Sequence, residues 1–97
     1  MISIEDESYV ISPPTELNIH TVEDFVENLK NELVEDKDII LNLADISEID
    51  SAGFQVLVAL KNEALKRSVS LKINDMSPEV YEIITLYGVH TFIENNK

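Results

Sequence analysis

The sequence predicts an α/β domain: a small mixed β-sheet that opens with an N-terminal antiparallel hairpin and is flanked by helices. Three observations carry this. Short segments in which apolar residues alternate or run together (2–4, 9–11, 39–43 and 69–73) have the lengths and β-branched content of strands. Longer segments (22–34, 51–66 and 78–87) repeat apolar residues at helical spacing. The two kinds alternate along the chain in the order β-β-α-β-α-β-α-β, the pattern of parallel strands joined by right-handed crossovers. A length of 97 residues is enough for one such core and too short for two, so a single domain over 1–97 is expected.

Taken in order, Ile2 and Ile4, then Tyr9-Val10-Ile11, form two strands around the acidic break Glu5-Asp6-Glu7-Ser8, a hairpin turn without the usual Asn-Gly or Asp-Gly pair. Pro13-Pro14 removes two backbone donors and ends the second strand. Thr21-Val22-Glu23-Asp24 has the form of a capping box with Asp for Glu, and opens a helix over 22–34. Val22, Phe25, Val26, Leu29 and Leu33 lie on one of its faces. Ile39-Ile40-Leu41-Asn42-Leu43 is apolar at four positions of five, as a strand covered on both sides must be, and is read as the central strand.

The helix from about Ser51 is expected to turn Ala52, Val56, Ala59, Leu60 and Ala64 to the sheet, flanked by Leu57. Phe54, Val58 and Leu65 make a second stripe, which needs a second neighbour: an adjacent helix, or a partner docking beside Ser51. Lys66-Arg67-Ser68 closes the helix with positive charge at its negative end. Val69 to Ile73 alternates as a half-buried strand ended by Asn74-Asp75. Ser77-Pro78-Glu79 then starts a helix to Tyr87, with a capping hydroxyl, proline at the first helical position and an acid in the first turn. Gly88 is expected to stop it, and 91–93 to add a short last strand.

Composition removes several functions. A formal charge of −12 repels phosphate backbones and anionic lipid surfaces, which argues against direct nucleic-acid binding. Without cysteine there is no disulfide, thiolate catalysis or Cys-ligated zinc. No run reaches the ~18 apolar residues of a membrane span, and the N-terminus lacks a signal-peptide pattern, so a soluble, cytoplasmic chain without membrane insertion is expected. His20 and His90 have no companion ligand spacing, and no metal or cofactor is expected. Two glycines cannot build a phosphate-cradling loop. Ser51 lies in Asp-Ser-Ala-Gly, not in a Gly-x-Ser-x-Gly turn, and neither histidine is placed to be its base, so catalysis is not expected.

What remains is Ser51 at the start of a helix, where unpaired N–H groups and the positive dipole end allow a hydroxyl either to cap the helix or to carry an anion. Asp50 competes for the cap. A phosphoserine there would add about 1.5–2 negative charges without unfolding its host, while disrupting a partner docked on apolar or acidic surface.

The stretch Ile46 to Gly53, with its strand before and apolar helix after, resembles the STAS domain of bacterial anti-sigma factor antagonists. In that family an aspartate, a Ser or Thr, a second small residue and a glycine recur; Asp50-Ser51-Ala52-Gly53 matches. Glu16-Leu17-Asn18 and Ser77-Pro78-Glu79-Val80 resemble the family's approaches to its first and third helices. The resemblance implies a non-enzymatic switch. Unphosphorylated, the domain docks on an anti-sigma factor that is an ATP-dependent serine kinase; Ser51 is the phosphorylation site, and a phosphatase reverses the modification. It also implies that the second and central strands are neighbours, with Asn18 near Asp50 and Ser51. The partner-binding set is then Asn18, Asp50, Ser51, Ala52, Gly53, Phe54 and Val58. Ala52 in place of Ser or Thr, Phe54-Gln55 in place of Leu-Gly and Asn18 in place of Asp depart from sigma-regulating members. Alanine before the glycine also resembles the STAS subunits of bacterial ABC-type phospholipid transport complexes, which bind their ATPase subunit; Ser51 would there be a contact or a cap.

Overall fold

A computed structural model describes residues 1–87. In chain order these form β1 (Ile2–Glu5), β2 (Ser8–Ile11), β3 (Glu16–Leu17), α1 (Val22–Glu32), β4 (Ile39–Leu43), β5 (Glu48–Ile49), α2 (Ser51–Lys66), β6 (Leu71–Met76) and α3 (Pro78–Tyr87). The mixed α/β architecture is the expected one. The main sheet runs β1-β2-β4-β6, with β1 antiparallel to β2 and the other neighbours parallel. β4 is thus central and neighbours β2. Its Ile39, Leu41 and Leu43 are fully buried. Around them gather Tyr9 and Ile11, Phe25, Leu29 and Leu33, Val56, Leu57, Leu60 and Ala64, and Val80 and Ile84, in one core. The expected stop at Gly88 and strand at 91–93 lie outside the described residues.

Several local expectations are corrected. The hairpin closes through Asp6 and Glu7 alone, since Glu5 pairs with Ser8. Both turn residues have positive φ, 52° and 66°, which defines a type I′ turn built without glycine or asparagine. α1 is two residues shorter than its apolar period, because Leu33 leaves helical geometry with ψ 63°. Thr21 makes no capping bond: its backbone is already helical, and its hydroxyl donates to the Glu16 carbonyl at 2.7 Å and accepts from the Asn18 N–H at 3.0 Å.

α2 buries Gly53, Val56, Leu57, Leu60, Lys61 and Ala64, so its inner face is turned from the expected arc; Leu57 is at the centre and Ala59 is exposed. Burial pushes the Lys61 ammonium below its ordinary pKa. The helix ends in a Schellman motif. Val69 N–H donates to the Ala64 carbonyl and Ser68 N–H to that of Leu65, with Ser68 left-handed at φ 59°. Val69 and Ser70 are therefore not in the strand. β6 starts at Leu71 and runs on through Asn74 and Asp75, because an irregularity at Leu41/Asn42 of β4 re-pairs Asn42 with Asp75 and Leu43 with Met76. The start of α3 is as expected: Val80 N–H donates to Ser77 Oγ at 3.3 Å.

Candidate functional site

Two strands too short to show a period build the site. β3 and β5 pair in parallel, Glu16 with Glu48 and Leu17 with Ile49, as a separate two-stranded sheet. β5 leads through Asp50 into α2 and β3 through a four-residue turn into α1, so this pairing sets the beginnings of α1 and α2 side by side. Segments 18–21 and 50–53, distant in sequence, meet there.

Gly53 fixes how closely they meet. A Cβ at this position would fall 2.2 Å from the Leu17 carbonyl oxygen and 2.9 Å from its carbon. Only a residue without a side chain lets the first turn of α2 lie against the β3 backbone. The Leu17 carbonyl in turn accepts the Asp50 N–H at 3.3 Å.

Asp50 caps α2. Its backbone is extended (φ −115°, ψ −174°), and its Oδ1 accepts the Gly53 N–H at 2.9 Å. Its other oxygen, Oδ2, accepts the Ile19 N–H at 3.0 Å, across to the approach to α1. The Gly53 N–H foremost, with those of Ile19 and Ala52, holds the carboxyl below its ordinary pKa, against an opposing effect of burial. Asn18, only 6% exposed, spends its side chain within the fold: Nδ2 donates to Glu48 Oε2 at 2.6 Å and Oδ1 accepts the His20 N–H at 2.9 Å. Asn18 and Asp50 are thus neighbours in the same small network.

Ser51 is the first residue of α2 and is exposed. Among the described residues its hydroxyl has no hydrogen-bond partner. The capping role that Ser51 could have filled belongs to Asp50, and the hydroxyl is left at the surface of the helix N-terminus. His20 lines a depression with Met1, Pro14, Thr21 and Asp24. No cluster of metal-ligating side chains occurs among the described residues, and no helix among them is long and apolar enough to cross a membrane.

Apolar residues of α2 lie close to Ser51 in the chain. Phe54 and Val58 are half-buried against the core, and the Phe54 ring stacks on Tyr87 of α3, centroids 5.5 Å apart at 22°. The second neighbour required by this stripe is an adjacent helix, at least for Phe54. An open groove also runs between α1 and α2, lined by the apolar Val22, Val26, Ala52 and Val56 together with Glu23, Glu27, Lys30 and Gln55. Ile19, 64% exposed, stands on its lining. Ile19, Glu48 and the Leu17 carbonyl are not among the expected site residues. Two of them act through backbone atoms, which carry no sequence signal, and Glu48 is one of 19 acidic residues with nothing in its spacing to mark it.

A family model for the STAS domain matches residues 1–97. No curated protein matches the sequence. The crystal structure of a Thermotoga maritima protein provisionally assigned as an anti-sigma factor antagonist resembles this fold with a TM-score of 0.81 at 22% identity, over 94% of this chain and 80% of that one. The NMR structure of the same Thermotoga protein gives a TM-score of 0.76 at 21% identity, over 94% and 74%. At such identities the likeness is one of fold.

Proposed function

The chain belongs to the STAS domain family, and on that basis we propose that it is a non-enzymatic module that docks on an anti-sigma factor with serine kinase activity and is switched by phosphorylation of Ser51. The observation that carries this reading is the division of labour at the start of α2. Asp50 supplies the cap, so the adjacent Ser51 hydroxyl is exposed and structurally unspent. A kinase can take it without competing with a hydrogen bond of the fold.

The electrostatics give the modification its effect. The helix N-terminus tolerates a phosphate through its dipole and free N–H groups. The new charge, about 1.5–2 units, stands next to the Asp50 carboxylate in a chain already at −12. A partner seated over Asp50, Ser51 and Ala52 would have to desolvate that charge against an acidic, partly apolar surface, which opposes docking. In this reading Asn18 and Gly53 shape the docking face from beneath, Phe54 and Val58 extend it along α2, and Ile19 extends it at the approach to α1. A phosphatase returns the domain to its binding form.

Incubated with its cognate kinase and Mg-ATP, the wild-type chain is expected to gain one phosphate, on the Ser51 peptide, and Ser51→Ala to gain none. No phosphate on the wild type, or an equal gain in Ser51→Ala, would overturn the reading.

A further inference from the structure

We propose that Glu48 is a positioning residue for the Ser51 site, acting through the side-chain amide of Asn18. The inference rests on Ser51 being the functional residue, but its geometry stands independently.

The approach to α1 is tied to the approach to α2 at two points beyond the β3–β5 backbone pairing: Asn18 Nδ2 to Glu48 Oε2 at 2.6 Å, and Ile19 N–H to Asp50 Oδ2 at 3.0 Å. The first orients the second. A carboxylate can only accept, so Glu48 fixes which end of the Asn18 amide faces it and leaves Oδ1 to receive the His20 N–H at 2.9 Å. That bond closes a local turn in which the Asn18 carbonyl also accepts the N–H groups of Thr21 and Val22 at 2.9 and 3.0 Å. The turn holds Ile19, between Asn18 and His20, with its N–H toward Asp50. Asp50 has each oxygen committed, one to Gly53 and one to Ile19, so its orientation next to Ser51 depends on Ile19 being held in place. Asn18 is nearly inaccessible, and its amide has a partner at each end. It serves the site by transmitting the grip of Glu48, which is itself at the surface.

The donor and acceptor of this bond can be exchanged, which provides the test. In the 15N-labelled full chain, amide hydrogen exchange and chemical shifts are followed at Ile19, His20 and Gly53, with Leu41 of the central strand as the internal reference. Glu48→Ala is expected to speed exchange at Ile19 and His20 about tenfold or more and to shift the Gly53 resonance, with Leu41 unchanged. Glu48→Gln, which keeps an acceptor oxygen, should remain close to wild type. Asn18→Asp, which sets two carboxylates against each other, should reproduce the loss. Combining Asn18→Asp with Glu48→Gln should reverse it, because the glutamine amide then donates to the carboxylate introduced at position 18. Unchanged Ile19 and Gly53 signals in Glu48→Ala, or no recovery in the exchanged pair, would overturn the proposal. Neither result depends on whether Ser51 is phosphorylated, which the kinase assay decides separately.

Discussion

Replacing Gly53 with alanine should destabilise the protein, although alanine is the better helix former. In an exposed helix the change would gain up to about 1 kcal/mol. Here the new Cβ would fall 2.2 Å from the Leu17 carbonyl oxygen, well inside an ordinary carbon–oxygen contact of about 3.3 Å. The obstacle is backbone, and Leu17 is fully buried, paired with Ile49 and bonded to the Asp50 N–H. It cannot yield without opening β3–β5. Overpacking of this kind costs about 1–3 kcal/mol, and withdrawal of α2 from β3 would also strain the Asp50 cap, worth about 1 kcal/mol. Set against the helix gain, the net loss is about 2 kcal/mol, a fall in Tm of about 8–16 °C for a chain of this size. Urea unfolding followed by far-UV circular dichroism, with thermal melts alongside, measures it. A Gly53→Ala variant as stable as wild type, or more stable, would refute the close approach on which the site is built.

Other predictions follow from the same geometry. Ser51→Ala should leave stability within about 0.5 kcal/mol of wild type, because Asp50 is the cap, whereas Asp50→Ala should lose about 1 kcal/mol; urea midpoints compare them. The Asp50 carboxyl has its folded pKa below the ordinary 3.8, so its ionised form contributes stability above that value. That contribution is lost as pH falls from about 4 through the depressed folded pKa, and the gap between wild type and Asp50→Ala should close over that range of acid unfolding curves. Glu7→Gly and Ser68→Gly replace residues at φ 66° and 59° and should each raise stability by about 0.5–1 kcal/mol in thermal melts, while either substitution at an ordinary φ would lower it.

The elements legible in the sequence are those with enough length to show a period or a cap. The 39–43 run marks the central strand, and Ser77-Pro78-Glu79 marks the start of α3 as the structure has it. What escapes is decided by backbone atoms. β3 and β5 have two residues each, too few for an alternation, yet their pairing brings Asn18 to Asp50. The Schellman motif at Ser68 takes Val69 out of its expected strand, because a left-handed serine gives no signal comparable to glycine. The inner face of α2 differs from the expected arc because its docking point is Gly53, whose missing side chain counts for nothing in a hydrophobic pattern. At Thr21 the sequence offers a cap that the structure does not use, since the hydroxyl is already engaged with Glu16 and Asn18. Within Asp50-Ser51-Ala52-Gly53 the residue types are visible, and the roles of Asp50 as cap and Ser51 as exposed hydroxyl become distinct only in three dimensions.

The central claim is that a phosphate on Ser51 controls docking, and the most direct measurement is the affinity of the partner for the same preparation before phosphorylation, after it, and after phosphatase treatment. The partner for this assay is to be isolated by co-purification with the chain from its native cell. A histidine-kinase-like ATPase whose binding weakens tenfold or more on phosphorylation, recovers on dephosphorylation, and ignores kinase treatment in Ser51→Ala is the predicted result. An affinity indifferent to the phosphate, or co-purification with the ATPase subunit of an ABC transporter instead, would contradict it.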